Sequence, residues 1–249
     1  MIKTRNAIFG IRPVIEGILA GKDIEKILIQ KGLSGNLVKE LHQTIKEHQI
    51  PFQYIPHEKL RQWDSKNHQG VVAFISEITY QDIENILPMI YESGKDPFIL
   101  VLDQVTDVRN FGAIARTAEC AGVHAIIVPE KGRAAINADA IKVSAGALLK
   151  IPVCRTPNLK KTIDLLKMNG LQIIAATEKS VVNYSDISYN NPIAIVMGSE
   201  ENGISPSILS ASDYLIGIPH YGTIESLNVS VAAGIILFEA VRQKNKIVH

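Results

Sequence analysis

The sequence predicts an α/β protein in two parts: a small α/β unit over residues 1–76 and a larger domain with a parallel sheet over residues 98–249, joined by a linker at 77–97. Three observations predict it. Short apolar runs alternate with helix-period stretches along the chain. After residue 97 the runs are apolar throughout instead of alternating, the pattern of strands covered on both faces. Several of those runs end in polar or glycine-containing loops, where α/β folds place ligands.

In chain order, Asn6–Phe9 reads as a short strand, and Gly10 turns into a helix over Arg12–Leu19. Ile24–Ile29 reads as a strand. Ser34 is a candidate N-cap for a helix carrying Leu37, Leu41, Ile45 and His48 at spacings of three and four. Phe52–Ile55 reads as a strand, His57–Trp63 as a short helix and Gly70–Ile75 as a buried strand. Residues 77–97 are charged and helix-prone and end at Gly94 and Pro97. The strands expected beyond are Phe98–Leu102, Ala125–Val128, Gln172–Ala176, Ile193–Met197 and Tyr214–Ile218. Helices are expected at Gly112–Ala121, Ala138–Ala147, Leu159–Met168, Pro206–Ala211 and Leu227–Arg242.

Composition narrows the function classes. Hydrophobic residues make up 46% and charged residues 20%, which suits a chain with a real core and argues against extensive disorder. Only two cysteines occur, Cys120 and Cys154, so a disulfide scaffold or Cys-rich zinc site is disfavoured and a reducing cytoplasm is expected. No signal-peptide pattern opens the chain, and no apolar run reaches the ~18 residues of a membrane span. Net charge is +1, but residues 1–76 hold 11 Lys+Arg against 7 Asp+Glu, a net of +4, while the rest carries −3. A basic excess of that size suits phosphate contacts and equally an ordinary solvated surface.

Three clusters carry the candidate chemistry. The first, Asp103 to Ala118, follows a strand and opens a helix. There Asn110 is a candidate cap, Gly112 allows close backbone approach, and Arg116 on the second turn completes a phosphate site. A capped helix with a surface arginine is the plainer reading. The second, Ile195–Gly203, ends a buried strand in a glycine-framed loop holding Glu200. Its Gly198–Gly203 spacing imitates a nucleotide loop, but Ile204 stands where that loop needs Lys. No Gly-x-Gly-x-x-Gly occurs, which disfavours a dinucleotide oxidoreductase. The third, Ile216–Ala240, ends a strand at Pro219 and begins a long helix near Ser226, with Ser226, Asn228 and Ser230 crowding its start. Redundant capping is the plainer reading there.

Asn110-x-Gly-Ala-Ile-x-Arg-Thr-Ala118, Gly198-Ser-Glu-x-x-Gly203 and Ile218-Pro followed by Ser226-Leu-Asn-Val-Ser-Val-Ala232 together resemble the three signature motifs of the SpoU-type (TrmH-like, SPOUT-class) RNA 2′-O-ribose methyltransferases. Residues 1–76, closing on His68-Gln-Gly-Val-Val-Ala73, resemble the substrate-binding domain of the branch acting on large-subunit rRNA guanosine. The resemblance implies an L30-like first domain, a C-terminal trefoil knot, and a homodimer through the knot and last helix. It implies S-adenosylmethionine as cofactor, held by Thr177, Met197, Gly198, Glu200, Ile216, Ile218, Pro219, Leu227, Asn228 and Ser230, with no metal. Asn110, Arg116, Glu200, Ser226 and Asn228 are the implied catalytic group, Arg116 clamping a phosphate and stabilising a developing alkoxide. His220 is expected to be a bystander in its loop. The implied partner is rRNA, or alternatively tRNA, with Arg5, Arg12 and the Lys66–Gly70 turn as candidate contacts. A non-catalytic RNA-binding protein is the competing class, against which the presence of Asn110, Arg116, Glu200 and Asn228 argues.

Overall fold

The computed structural model describes residues 7–224 and 226–245. The chain forms two compact units that divide between Thr79 and Tyr80. Arg5 lies outside the described residues.

The first unit runs β1 (Ala7–Phe9), α1 (Ile11–Leu19), β2 (Ile24–Gln30), α2 (Asn36–Glu47), β3 (Phe52–Ile55) and β4 (Val71–Ile75). Its sheet has the order β1-β4-β2-β3, with β4 antiparallel to both neighbours and β2 parallel to β3. Because strand side chains alternate, β2 and β4 feed two cores. Ile27, Ile29, Val71 and Ala73 pack under Val14, Ile15 and Ile18 of α1 and Leu41 and Ile45 of α2. On the other face Val72 meets Ile55, Leu60 and Trp63. Two 3₁₀ turns, His57–Lys59 and Arg61–Trp63, stand where one short helix is expected. Helix α2 starts after Gly35 (φ 125°) and has no side-chain cap, so Ser34 does not perform that role.

The second unit contains α3 (Ile83–Glu92), β5 (Phe98–Leu102), α4 (Val108–Cys120), β6 (Ala125–Pro129), α5 (Ala138–Val143) and β7 (Val153–Thr156). There follow α6 (Leu159–Met168), β8 (Gln172–Ala176), β9 (Ile193–Met197), α7 (Pro206–Leu209), β10 (Tyr214–Ile216) and α8 (Val229–Asn245). The six strands are all parallel, in the order β10-β8-β9-β5-β6-β7. Every residue of β5 and β9 is buried, as a sheet covered on both faces requires.

The stretch expected to be a linker is structural: Ile83, Ile86, Leu87 and Ile90 of α3 are buried in this unit's core against Ile99, Val101, Ile127 and Cys154. Strand β7 was not foreseen, because its four residues include Arg155 and offer too short an apolar run. Helix α5 stops well short of Ala147, since Ala145 (φ 50°) and Gly146 (φ 84°) turn left-handed behind it.

Strand β10 is held from both sides. It pairs with β8, and beyond it Thr177 N–H donates to Ile216 O at 2.8 Å. On the far side Gly217 N–H donates to Val182 O at 2.8 Å, and Tyr184 N–H donates to Gly217 O at 2.9 Å. The loop that follows β8 therefore flanks the segment that ends β10. Gln243 of α8 closes on the same loop, donating to Ile187 O at 3.1 Å and accepting from Tyr189 N–H at 3.2 Å.

Candidate active site

The carboxyl ends of β8, β9 and β10 converge on one cavity of about 270 Å³. The sheet is parallel, and the cavity lies outside the carboxyl ends of its strands, where open α/β sheets hold ligands. Met197, Ile216, Ile218, Leu227, Ala232 and Ile236 supply apolar wall, while Thr177, Glu178, Glu200 and Asn202 supply polar groups.

Two glycines shape the wall. A Cβ on Gly198 would collide with the backbone of Gly203, so the loop folds onto itself only without a side chain there. Ser199 and Gly203 exchange backbone hydrogen bonds of 3.1 and 3.0 Å, and Ser199 Oγ accepts from Asn202 N–H at 3.0 Å. A Cβ on Gly217 would come within 2.9 Å of Ser180 O. Buried Asp103, just past β5, anchors the exit of the Gly198–Gly203 loop by accepting from Ser205 N–H at 2.7 Å.

Asn228 organises the mouth. Its Nδ2 donates to Asn110 Oδ1 at 3.0 Å and to Glu200 Oε1 at 2.5 Å, which uses both amide hydrogens. Its Oδ1 accepts from Ser230 N–H at 3.0 Å and from Ser230 Oγ. Glu200 Oε1 also accepts from Val229 N–H at 3.1 Å, placing a carboxylate at the N-terminus of α8, where the helix dipole favours it. Asn110 Nδ2 and Glu200 Oε2 keep hydrogen-bonding capacity that no described residue uses.

The residues expected at the site thus fall into groups. Thr177, Met197, Gly198, Glu200, Ile216, Ile218, Ser226 and Leu227 line the cavity. Asn228 and Ser230 belong to the hydrogen-bonded mouth, and neither they nor Pro219 line the cavity. Arg116 stands apart, exposed on the third turn of α4 and without a hydrogen bond or ion pair among the described residues. Arg109, seven residues or about two turns earlier, is exposed on the same stripe.

Two expectations for α4 are corrected. The helix is capped by Asp107, which accepts from Arg109 N–H at 2.9 Å and Asn110 N–H at 2.8 Å, leaving the Asn110 side chain free to meet Asn228. Gly112 does permit a close approach, but to α5: a Cβ there would lie 2.8 Å from Val143 Cβ. Helix α8 starts at Val229, later than expected, because Asn228 caps it. His220, expected to be a bystander, lines the cavity, as do Glu178, Lys179 and Gly217. Only the strand-end position of Gly217 was there to mark it.

Fold and site together define an α/β protein with a ligand cavity at the carboxyl edge of a parallel sheet, its mouth built from three distant polar side chains. The chain belongs to the SpoU rRNA methylase family, whose model matches residues 97–238. A second model, RNA 2′-O ribose methyltransferase substrate binding, matches residues 7–81. The chain is 30% identical, over 99% of both chains, to the TrmH family tRNA/rRNA methyltransferase YacO of Bacillus subtilis. The AdoMet-bound rRNA methyltransferase from Sinorhizobium meliloti superposes with a TM-score of 0.61 at 25% identity, over 95% of this chain and 87% of its own. The TrmH/SpoU tRNA-modifying enzyme of A. aeolicus matches at 34% identity with a TM-score of 0.57, over 67% of this chain and 86% of its own.

Proposed function

We propose that the protein transfers a methyl group from S-adenosylmethionine to the ribose 2′-hydroxyl of a guanosine in large-subunit rRNA. The observation that carries this reading is the Asn110–Asn228–Glu200 cluster at the mouth of a glycine-walled cavity. The cavity suits the cofactor: an apolar slot for a purine ring, exposed strand-end backbone for its ribose, and the carboxylates of Glu178 and Glu200 for its cationic groups. When bound, S-adenosylmethionine supplies an activated methyl on a sulfonium.

The protein supplies position and electrostatics. Asn228, with both amide hydrogens committed, holds Asn110 and Glu200 in fixed geometry. Asn110 Nδ2 orients the ribose. Arg116 clamps the phosphate beside the target ribose and stabilises the alkoxide as the hydroxyl loses its proton, an electrostatic role suited to a guanidinium that keeps its own proton. Thr177, Met197, Gly198, Ile216, Ile218 and Leu227 wall off water, and Ser226 holds the loop edge.

The choice of rRNA over tRNA rests on architecture. The rRNA methyltransferase matches 95% of this chain, whereas the tRNA-modifying enzyme matches 67%. We also infer a trefoil knot, supported by the hydrogen bonds that flank β10 on both sides. A homodimer through α8 completes the proposal, with Arg116 acting beside the partner's cofactor. It is supported by the exposed apolar side chains of Val231 and Phe238, which share a stripe with Gly234 and Ile235.

The test is transfer of labelled methyl to unmodified large-subunit rRNA and, in parallel, tRNA, with Asn228→Ala as control. Label at one rRNA site resistant to alkaline cleavage supports the proposal. Label in tRNA alone keeps the chemistry and overturns the substrate. Absence of cofactor binding overturns the enzyme reading.

A further inference from the structure

The first unit carries an aromatic cluster that the active site does not use. Phe52 and Tyr54 of β3 are 44% and 48% exposed, although β2, the strand beside them, is largely buried. Their rings sit 5.5 Å apart at 88°, and His42 of α2 stands 5.8 Å from each. Tyr54 Oη and His42 Nε2 are 3.1 Å apart, a hydrogen bond that fixes the arrangement. The rings are therefore preorganised, and nearly half of Phe52 and Tyr54 is left exposed.

Two further observations say what covers them. Strand β3 is the edge of its sheet, paired with β2 alone, so its outer side is open to a partner. The surroundings are cationic. Lys39 and Lys46 are exposed on the same stripe of α2 as His42, three residues before it and four after. The nearby acid Glu40 accepts from Arg12 at 3.2 Å, so its charge is partly offset. Half-exposed rings flanked by two lysines match a ligand that presents π-faces and phosphates together, which is unpaired RNA.

We infer that His42, Phe52 and Tyr54 form a stacking platform for unpaired bases of the RNA substrate, with Lys39 and Lys46 as its phosphate contacts. The inference rests on the proposed RNA substrate and goes on to name the surface that reads it. The platform would bind a single-stranded segment flanking the methylated nucleotide, and it would select loops over duplexes because paired bases hide their faces in the stack. A second protein chain docking on the open edge of β3 is the alternative occupant.

The experiment uses the full chain. Phe52→Leu with Tyr54→Leu keeps apolar area and removes the aromatic faces. Binding is read by fluorescence anisotropy with a short labelled single-stranded oligoribonucleotide and with its duplex. The expected result is a loss of single-strand affinity of about tenfold or more, the size of base–aromatic stacking. Duplex affinity, melting temperature and S-adenosylmethionine binding stay unchanged. Lys39→Gln with Lys46→Gln, as a second variant, lowers affinity for both probes and flattens the salt dependence. Unchanged single-strand binding in the leucine variant overturns the platform. Equal loss for both probes with a lowered melting temperature also overturns it, since the rings would then be structural. A change in oligomeric state assigns the surface to a protein partner instead. If the unaltered chain binds S-adenosylmethionine but neither probe, the RNA reading itself has failed, and that outcome is seen before any variant is made.

Discussion

Helices leave the carboxyl edge of the large sheet in two ways. Helices α4, α5 and α6 each begin with a local cap: Asp107, Asn137 and Asn158 accept backbone N–H groups two or three residues ahead. Helix α8 begins with a cap as well, Asn228 accepting from Ser230 N–H, but the same side chain also holds Asn110 and Glu200. Glu200 in turn reaches Val229 N–H from a loop 29 residues earlier in the chain. One side chain satisfies a helix end. Three side chains from three elements exceed that need, and the excess marks the end of the sheet that faces a ligand. The difference separates polar residues that serve the fold from polar residues that serve a site.

That contrast is sharpened most by Arg116→Ala. The arginine is exposed and makes no hydrogen bond or ion pair with the described residues, so removal leaves stability unchanged. Single-turnover methyl transfer should fall by roughly 10²–10³-fold, the usual size of a lost charge-stabilising donor. Cofactor affinity, measured by calorimetry, should stay within about twofold. Equal losses in both would dissolve the division of roles between Arg116 and the cavity.

Asn228→Ala comes next. It removes a cap, costing about 1 kcal/mol, and it releases Asn110 and Glu200 together. Turnover should fall on the order of 100-fold, as expected when positioning is lost. Gly198→Ala follows and acts on the cavity wall. The added methyl meets the backbone of Gly203, and the forced shift costs about 1–3 kcal/mol. Cofactor affinity should drop by roughly tenfold, with a melting temperature lower by ~2–4 °C per kcal/mol. A variant that melts lower but binds the cofactor normally would show that this loop does not shape the pocket.

The local devices were legible in the sequence, and the assembled ones mostly were not. The fully apolar runs Phe98–Leu102 and Ile193–Met197 announced buried parallel strands because burial on both faces leaves no polar positions. The three motif clusters were visible as polar, glycine-bearing strand ends. Their meeting was not, since Asn110 and Asn228 are 118 residues apart and no periodicity encodes that contact. Asn110 looked like a cap because caps are what Asn near a helix start usually is. Asp107, three residues earlier, takes that place and leaves Asn110 for the site. Strand β7 escaped for a different reason: at four residues with Arg155 among them, it owes its place to pairing with β6 and not to its own pattern.

The smallest effect makes the strictest test. Asp107→Ala removes the cap of α4, the helix that carries both Asn110 and Arg116, yet the Asp107 side chain makes no other hydrogen bond among the described residues. Its loss should cost about 1 kcal/mol, a fall in melting temperature of ~2–4 °C for a chain of this size. Asn228→Ala also deletes one cap, and with it the bonds to Asn110 and Glu200. Turnover of Asp107→Ala should nonetheless stay within about twofold of the parent, since the helix continues to be held by its packing against α5 and α8. The pair of variants separates the loss of a cap from the loss of the site. If Asp107→Ala lost activity as deeply as Asn228→Ala, fraying at the start of α4 would be enough to disable the site, and the excess of polar contacts at α8 would need no catalytic explanation.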